Sequence, residues 1–199
     1  MRRRAALLLA VALVVAGCDV PTNDQPVELS GPFARLETTT TTSTTSPESP
    51  GTTKDAVVYM LRTQDGETRL EAVTRSIDID AGIQETLSNL FTQPPSEERP
   101  GEAGLESAIP ASAVLLSAQR SAASPDRLIV DVRGLFGDQG LQGVRLRNAL
   151  AQIVWTSTVP GTGVTEVVFR SDGEQAAALV DDLQSTTEPV RRRDYAQDG

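Results

Sequence analysis

The sequence predicts an α+β domain, with one mostly antiparallel sheet, two helices on one face and elements in the order ββαββαβ. Three observations predict it. Apolar residues recur at every second position in several short runs, two of these runs meet at Gln64-Asp65-Gly66-Glu67, and two longer stretches repeat apolar residues with helical spacing.

The first strand covers residues 56–62 (AVVYMLR), and the second, 68–79, alternates through Val73, Arg75, Ile77 and Ile79. Asp65-Gly66 between them is the signal of a tight hairpin, because both residues tolerate positive φ. Asp80 then caps a helix in which Ile83, Leu87, Leu90 and Phe91 fall at i, i+4, i+7 and i+8. Pro94-Pro95 stops it, and residues 93–110, with four glutamates, read as a long loop. Strands follow near 113–120 and 127–133, joined by 121–126. A second helix runs from about 139 to 158 with Leu146, Leu150, Ile153 and Val154 as its buried stripe, and Pro160-Gly161 ends it. Residues 164–170 (VTEVVFR) form a strand, Asp172-Gly173 a second hairpin turn, and 176–180 a short terminal strand or helical turn.

Ahead of this domain the chain has a different character. Arg2, Arg3 and Arg4 precede a dozen apolar residues, and Val15-Ala16-Gly17-Cys18 closes the run. The apolar stretch is too short for the roughly 20 residues that span a bilayer, so residues 1–17 read as a signal peptide. The small pair before Cys18, the single cysteine of the chain, reads as a lipoprotein cleavage site, which makes Cys18 the lipid-attachment residue. Residues 18–54 read as a disordered tether. Between Thr38 and Thr53 there are nine threonines, three serines and two prolines with no large apolar residue, so ordering entropy has nothing to offset it. As a flexible coil the tether reaches about 35 Å, and about 110 Å if drawn towards polyproline II. The domain then occupies 55–183, and 184–199 read as a flexible C-terminal tail.

Composition narrows the chemistry. Among 199 residues there is no histidine and one cysteine, so no Ser-His-Asp or Cys-His nucleophile can form within the chain, and zinc sites built on those ligands are excluded. The net charge of −9 becomes −12 once the three signal arginines are removed, which argues against nucleic acid as a partner. No cofactor motif is read. Carboxylates, hard ions and the lone Lys54 are what remain for catalysis.

The candidate side chains each have an ordinary explanation beside the functional one. Asp131 lies mid-strand, as a functional acid or as a solvent-facing residue. Arg75 could hold a carboxylate ligand, but a salt bridge explains it better. Asp78, Asp80 and Glu85 lack the loop spacing of a calcium site, and helix capping accounts for the group. Glu97, Glu98 and Glu102 are an acidic docking edge or solvated loop charge, with the second favoured. Arg191, Arg192 and Arg193 could touch anionic polymer or phospholipid, or belong to a mobile tail. Trp155 is expected in core or helix-edge packing rather than stacked on sugar.

Several segments together resemble the GerMN domain of sporulation and spore-germination proteins and bacterial envelope lipoproteins. They are VVYMLRTQDG (57–66), LEAVTRSI (70–77), LSNLF (87–91), GLESAIP (104–110), RLIVDVRGLF (127–136), ALAQIVWTSTVPGTGVTEVVF (149–169), SDG (171–173) and EPVRRRDYA (188–196). Thr92-Gln93-Pro94-Pro95 stands where relatives often carry Gly-Pro. The resemblance implies a domain like the ring-building modules of secretion systems, with core order αββαβ. It supplies no catalytic residues to carry over.

The sequence therefore points to a non-catalytic protein, exported and lipid-anchored through Cys18 to the outer face of the bacterial cytoplasmic membrane. Its domain would bind an envelope protein complex or itself. Two other readings stay open: a module binding cell-wall glycan, and a carboxylate-dependent wall hydrolase, which needs two acids about 5–9 Å apart.

Overall fold

The computed structural model describes residues 52–195. The signal peptide, Cys18 and the tether up to residue 51 lie outside the described residues, as do 196–199. Strand β1 (Thr53–Gln64) and strand β2 (Glu67–Asp78) form the hairpin that the Asp-Gly signal predicts, with Gln64 opposite Glu67. Asp65 and Gly66 both have positive φ, 54° and 83°, as the two-residue turn requires. Strand β1 starts at Thr53, two residues before the expected domain boundary, where Thr53 and Lys54 pair with Asp78 and Ile77.

Helix α1 (Ile83–Thr92) buries Leu87, Leu90 and Phe91 as the spacing predicts. Its N-cap is Gly82 and has no side-chain hydrogen bond, so the expected capping by Asp80 is corrected. Asp78 instead accepts the Asp80 N–H at 2.9 Å, closing a turn one step earlier. The long loop contains a short strand, β3 (Leu105–Glu106), which pairs with Leu61 and Arg62 of β1. Strands β4 (Val114–Arg120) and β5 (Arg127–Arg133) are antiparallel, with a bulge at Leu116. Helix α2 (Gly143–Ser157) begins four residues later than read and carries the chain over to β6 (Glu166–Ser171), which is parallel to β5. A helix between two neighbouring strands makes a crossover, and a crossover makes the strands parallel. Strand β7 (Glu174–Gln175) pairs back on β6 through Asp172-Gly173, and β8 (Ala178–Leu179) pairs with β9 (Ser185–Thr186).

The α+β class and the element order hold, but the strands divide among several sheets rather than one. The main ones are β2-β1-β3 and β4-β5-β6-β7, with β8-β9 a separate ribbon. Helix side chains end the pairing between β1 and β3. Leu61 opposes Glu106 and Arg62 opposes Leu105, so the same register would bring Tyr59 opposite Ala108. The Gln152 carboxamide stands between them, donating to the Tyr59 carbonyl at 3.0 Å and accepting the Ala108 N–H at 2.7 Å. One turn on, Thr156 accepts the Tyr59 N–H at 3.0 Å. Helix α2 is consequently buried on two sides. Leu150, Ile153 and Val154 belong to the main core, while Ala149, Gln152 and Thr156, at i, i+3 and i+7, form a second buried stripe.

Residues 185–186 pair as β9 and residues 190–195 pack onto the domain, which corrects the reading of a flexible tail. Val190 and Tyr195 are each 1% exposed, and Val190 bridges to Val167 of β6. The apolar anchors sit one and six residues after Pro189, close enough in sequence to hold a short segment down.

Candidate functional site

Arg75 sits on the inward face of β2 between Val73 and Ile77, and its side chain is 4% exposed. A guanidinium is never neutral at physiological pH, so burial demands a partner. The partner is Glu102, 1% exposed, bound bidentately at 2.8 Å from Nε and 3.1 Å from Nη2. Nη1 donates to Asn89 Oδ1 and to the carbonyls of Asn89 and Gln93, the last at 2.6 Å. Arg75 thereby also satisfies the C-terminal end of α1, where carbonyl groups lack helical partners.

Glu102 receives more than Arg75. Arg99 Nε donates at 2.8 Å and the Ser96 N–H at 3.0 Å. Burial is the largest single influence and pushes the carboxyl up, but the hydrogen bonds from Arg75, Arg99 and Ser96 together outweigh it and hold the group below its ordinary value. Of the three loop glutamates, Glu97 and Glu98 are exposed, as expected of solvated charge, whereas Glu102 is buried. Two residues weighed separately in the sequence thus form one ion pair that clamps residues 93–104 onto β2 and α1.

A second carboxylate is treated alike. Glu166, 8% exposed at the start of β6, accepts from Arg191 and from Arg127, the latter at 3.0 and 3.1 Å. Arg191 first and Arg127 second hold it below the usual carboxylate range. Arg192 lies over Trp155 at 4.6 Å and over Tyr59 at 5.2 Å, and the two rings meet edge to face at 5.2 Å. Arg192 also donates to the Trp155 carbonyl and to Thr158 Oγ1, both at 2.8 Å. Two of the three tail arginines are therefore absorbed by the domain, and Arg193 alone projects, 73% exposed beside Asp194. Trp155 is packed at the helix edge, as read. Arg192→Ala is expected to expose this sole tryptophan, seen as a red shift of its emission together with faster amide exchange over 190–195.

Asp131 accepts the Gly173 N–H at 3.1 Å and pins the turn between β6 and β7. Asp78, Asp80 and Glu85 do not converge, and among the described residues no group of three or more potential metal ligands assembles. No described helix is long and apolar enough to cross a membrane. Sequence reasoning missed Gln152 and Glu166. For Glu166 the available signal was Arg127, its cross-strand neighbour in the β5–β6 pairing.

An α+β domain with a long leading hairpin, two core helices and a crossover onto a second sheet is the architecture of a GerMN-type domain. The chain belongs to the Germane family, described as sporulation and spore germination, whose model matches residues 57–177. Two structures from Bacillus subtilis are similar to the chain, the first of them in its fold. One holds the tandem GerMN domains of the sporulation protein GerM, at 20% identity and a TM-score of 0.50, covering 72% of this chain and 46% of that one. The chain thus spans about half the length of that relative. The other is the first GerMN domain of the same protein, at 13% identity and a TM-score of 0.46, covering 70% and 98%. Among curated proteins none matches.

Proposed function

We propose that the chain is a lipid-anchored envelope protein whose GerMN domain is a non-catalytic interaction module, holding a protein complex or a second copy at the outer face of the cytoplasmic membrane. The observation that carries this reading is the state of the buried carboxylates. Glu102 and Glu166 are both paired with arginines and held below the ordinary range, so neither keeps a proton at neutral pH to serve as general acid. A glycoside hydrolase depends on an acid whose pKa is raised. The family match, described as sporulation and spore germination, is compatible with such a role.

Anchoring is tested by Cys18→Ser in the full chain. The variant is expected to leave the membrane fraction and lose incorporation of labelled fatty acid, and a variant that stays acylated and membrane-bound would overturn that half of the reading. Cross-linking of the membrane-bound wild type in cells tests the other half. A reproducible complex or self-adduct is expected, and a chain that remains uncross-linked at every concentration would count against an interaction module.

A further inference from the structure

Strands β1 and β4 line the same groove, of about 960 Å³, β1 along the part of its edge that β3 leaves uncovered and β4 at the edge of its sheet. On β1, the N–H and C=O of Tyr59 point away from β2, since Thr156 and Gln152 meet them. Alternation in an antiparallel pair puts the groups of Asp55 and Val57 on that same edge. Strand β3 reaches only Leu61 and Arg62, and among the described residues nothing pairs with Asp55 or Val57 there. On the opposite wall the Ala118 N–H points away from β5 and is met by Gln84, whereas the Ser121 N–H goes to the Arg127 carbonyl. The backbone groups of Arg120 therefore face the groove as well.

Donors and acceptors that alternate along an extended edge are matched by another extended backbone, which is why open edges pair with strands. The free run from Thr53 to Val57 is about 14 Å long, enough for four or five residues of a paired strand. Charge indicates what that strand carries. The whole chain has net charge −9, yet the charged side chains lining the groove are Lys54, Asp55 and Arg120, a local excess of one positive charge. Helix α1 also starts there, at Gly82 with no side-chain cap, and its free N–H groups add partial positive charge.

We propose that this groove binds an extended strand of another protein, bearing an acidic side chain near Lys54 and hydrogen-bonded to Asp55 and Val57 of β1. The proposal rests on the interaction-module reading and says where and how the partner is held.

The probe is a library of eight-residue peptides alternating threonine with valine or isoleucine, each carrying one aspartate or glutamate. It is added to the purified full chain while amide exchange is followed. Binding peptides are expected to slow exchange at Asp55 and Val57 at least tenfold, and the same peptides N-methylated at alternate residues are not. Val57→Pro removes the edge N–H while leaving the β2 ladder, to which Val57 does not contribute, and is expected to cut affinity at least tenfold. Gln84→Trp fills the groove from α1 without altering β1 and is expected to do the same. No slowing at Asp55 and Val57 with any peptide, or full affinity in both variants, overturns the proposal. Protection already present without peptide would mean an edge occupied by the chain's own residues if it survives dilution, or by a second copy if it does not, and either result overturns it. In cells, a cross-linked complex that persists in both variants sinks the groove alone, while a wild type with no complex sinks the interaction module itself.

Discussion

Glu102→Leu is expected to destabilise the domain by about 3–5 kcal/mol in urea or thermal denaturation, the cost of stranding a buried guanidinium. Arg75 is 4% exposed and can reach no water to replace the carboxylate, while Arg99 and the Ser96 N–H lose an acceptor in the same step. Arg75→Met combined with Glu102→Leu removes both charges and is expected to recover most of the loss, because well-packed apolar residues often substitute for a buried pair at little cost. A double variant whose loss equals the sum of the two single losses would show that the residues act independently.

The same carboxylate sets an acid limit. Its folded pKa is lowered, so the unfolded chain binds the proton more readily than the folded one. The stabilisation is complete above the unfolded value of about 4.3 and is lost as pH falls through the lower folded value. Glu166 acts in the same direction. Glu102→Gln should therefore flatten, without abolishing, the fall of stability below about pH 4.3. An unchanged pH profile in that variant would place the acid sensitivity elsewhere.

These residues also show where the sequence was readable. Both Asp-Gly turns were, because only a few residue types accept the positive φ found at Asp65, Gly66, Asp172 and Gly173. Arg75 was readable in part, as a salt-bridge residue. It lies in phase with Val73 and Ile77, and an arginine on a buried face requires an acid somewhere. Which acid did not follow, since Glu102 shares its proline-rich loop with the exposed Glu97 and Glu98, and only the folded path of that loop separates them. Ile79 carried the opposite error, continuing the alternation yet 49% exposed, because β2 ends at Asp78. The tail misled for a related reason: three arginines in a row look solvated until Glu166, Trp155 and Tyr59 are brought beneath them by β6, α2 and β1.

Gln152 is the residue that the sequence concealed most fully, and removing its carboxamide has the second large expected effect. Gln152→Met keeps the volume and orphans the Tyr59 carbonyl and the Ala108 N–H, both reached by a side chain with no exposure. At about 1–3 kcal/mol for each unsatisfied buried group, the variant should lose about 2–6 kcal/mol. Nothing in a helical wheel distinguishes this glutamine from a solvent-facing one, since its partners are backbone groups supplied by β1 and the residues after β3. Thr156→Val removes the acceptor for the Tyr59 N–H and should cost less, about 1–3 kcal/mol, because one group is stranded rather than two. Amide exchange separates a local wedge from general core damage. Ala108 should exchange faster in Gln152→Met but not in Thr156→Val, and Tyr59 should exchange faster in Thr156→Val. If Gln152→Met melts within about 0.5 kcal/mol of wild type and Ala108 stays protected, as a neutral surface change would, β1 and β3 close on each other without the glutamine. The end of the β1–β3 pairing at Leu61 would then need another cause.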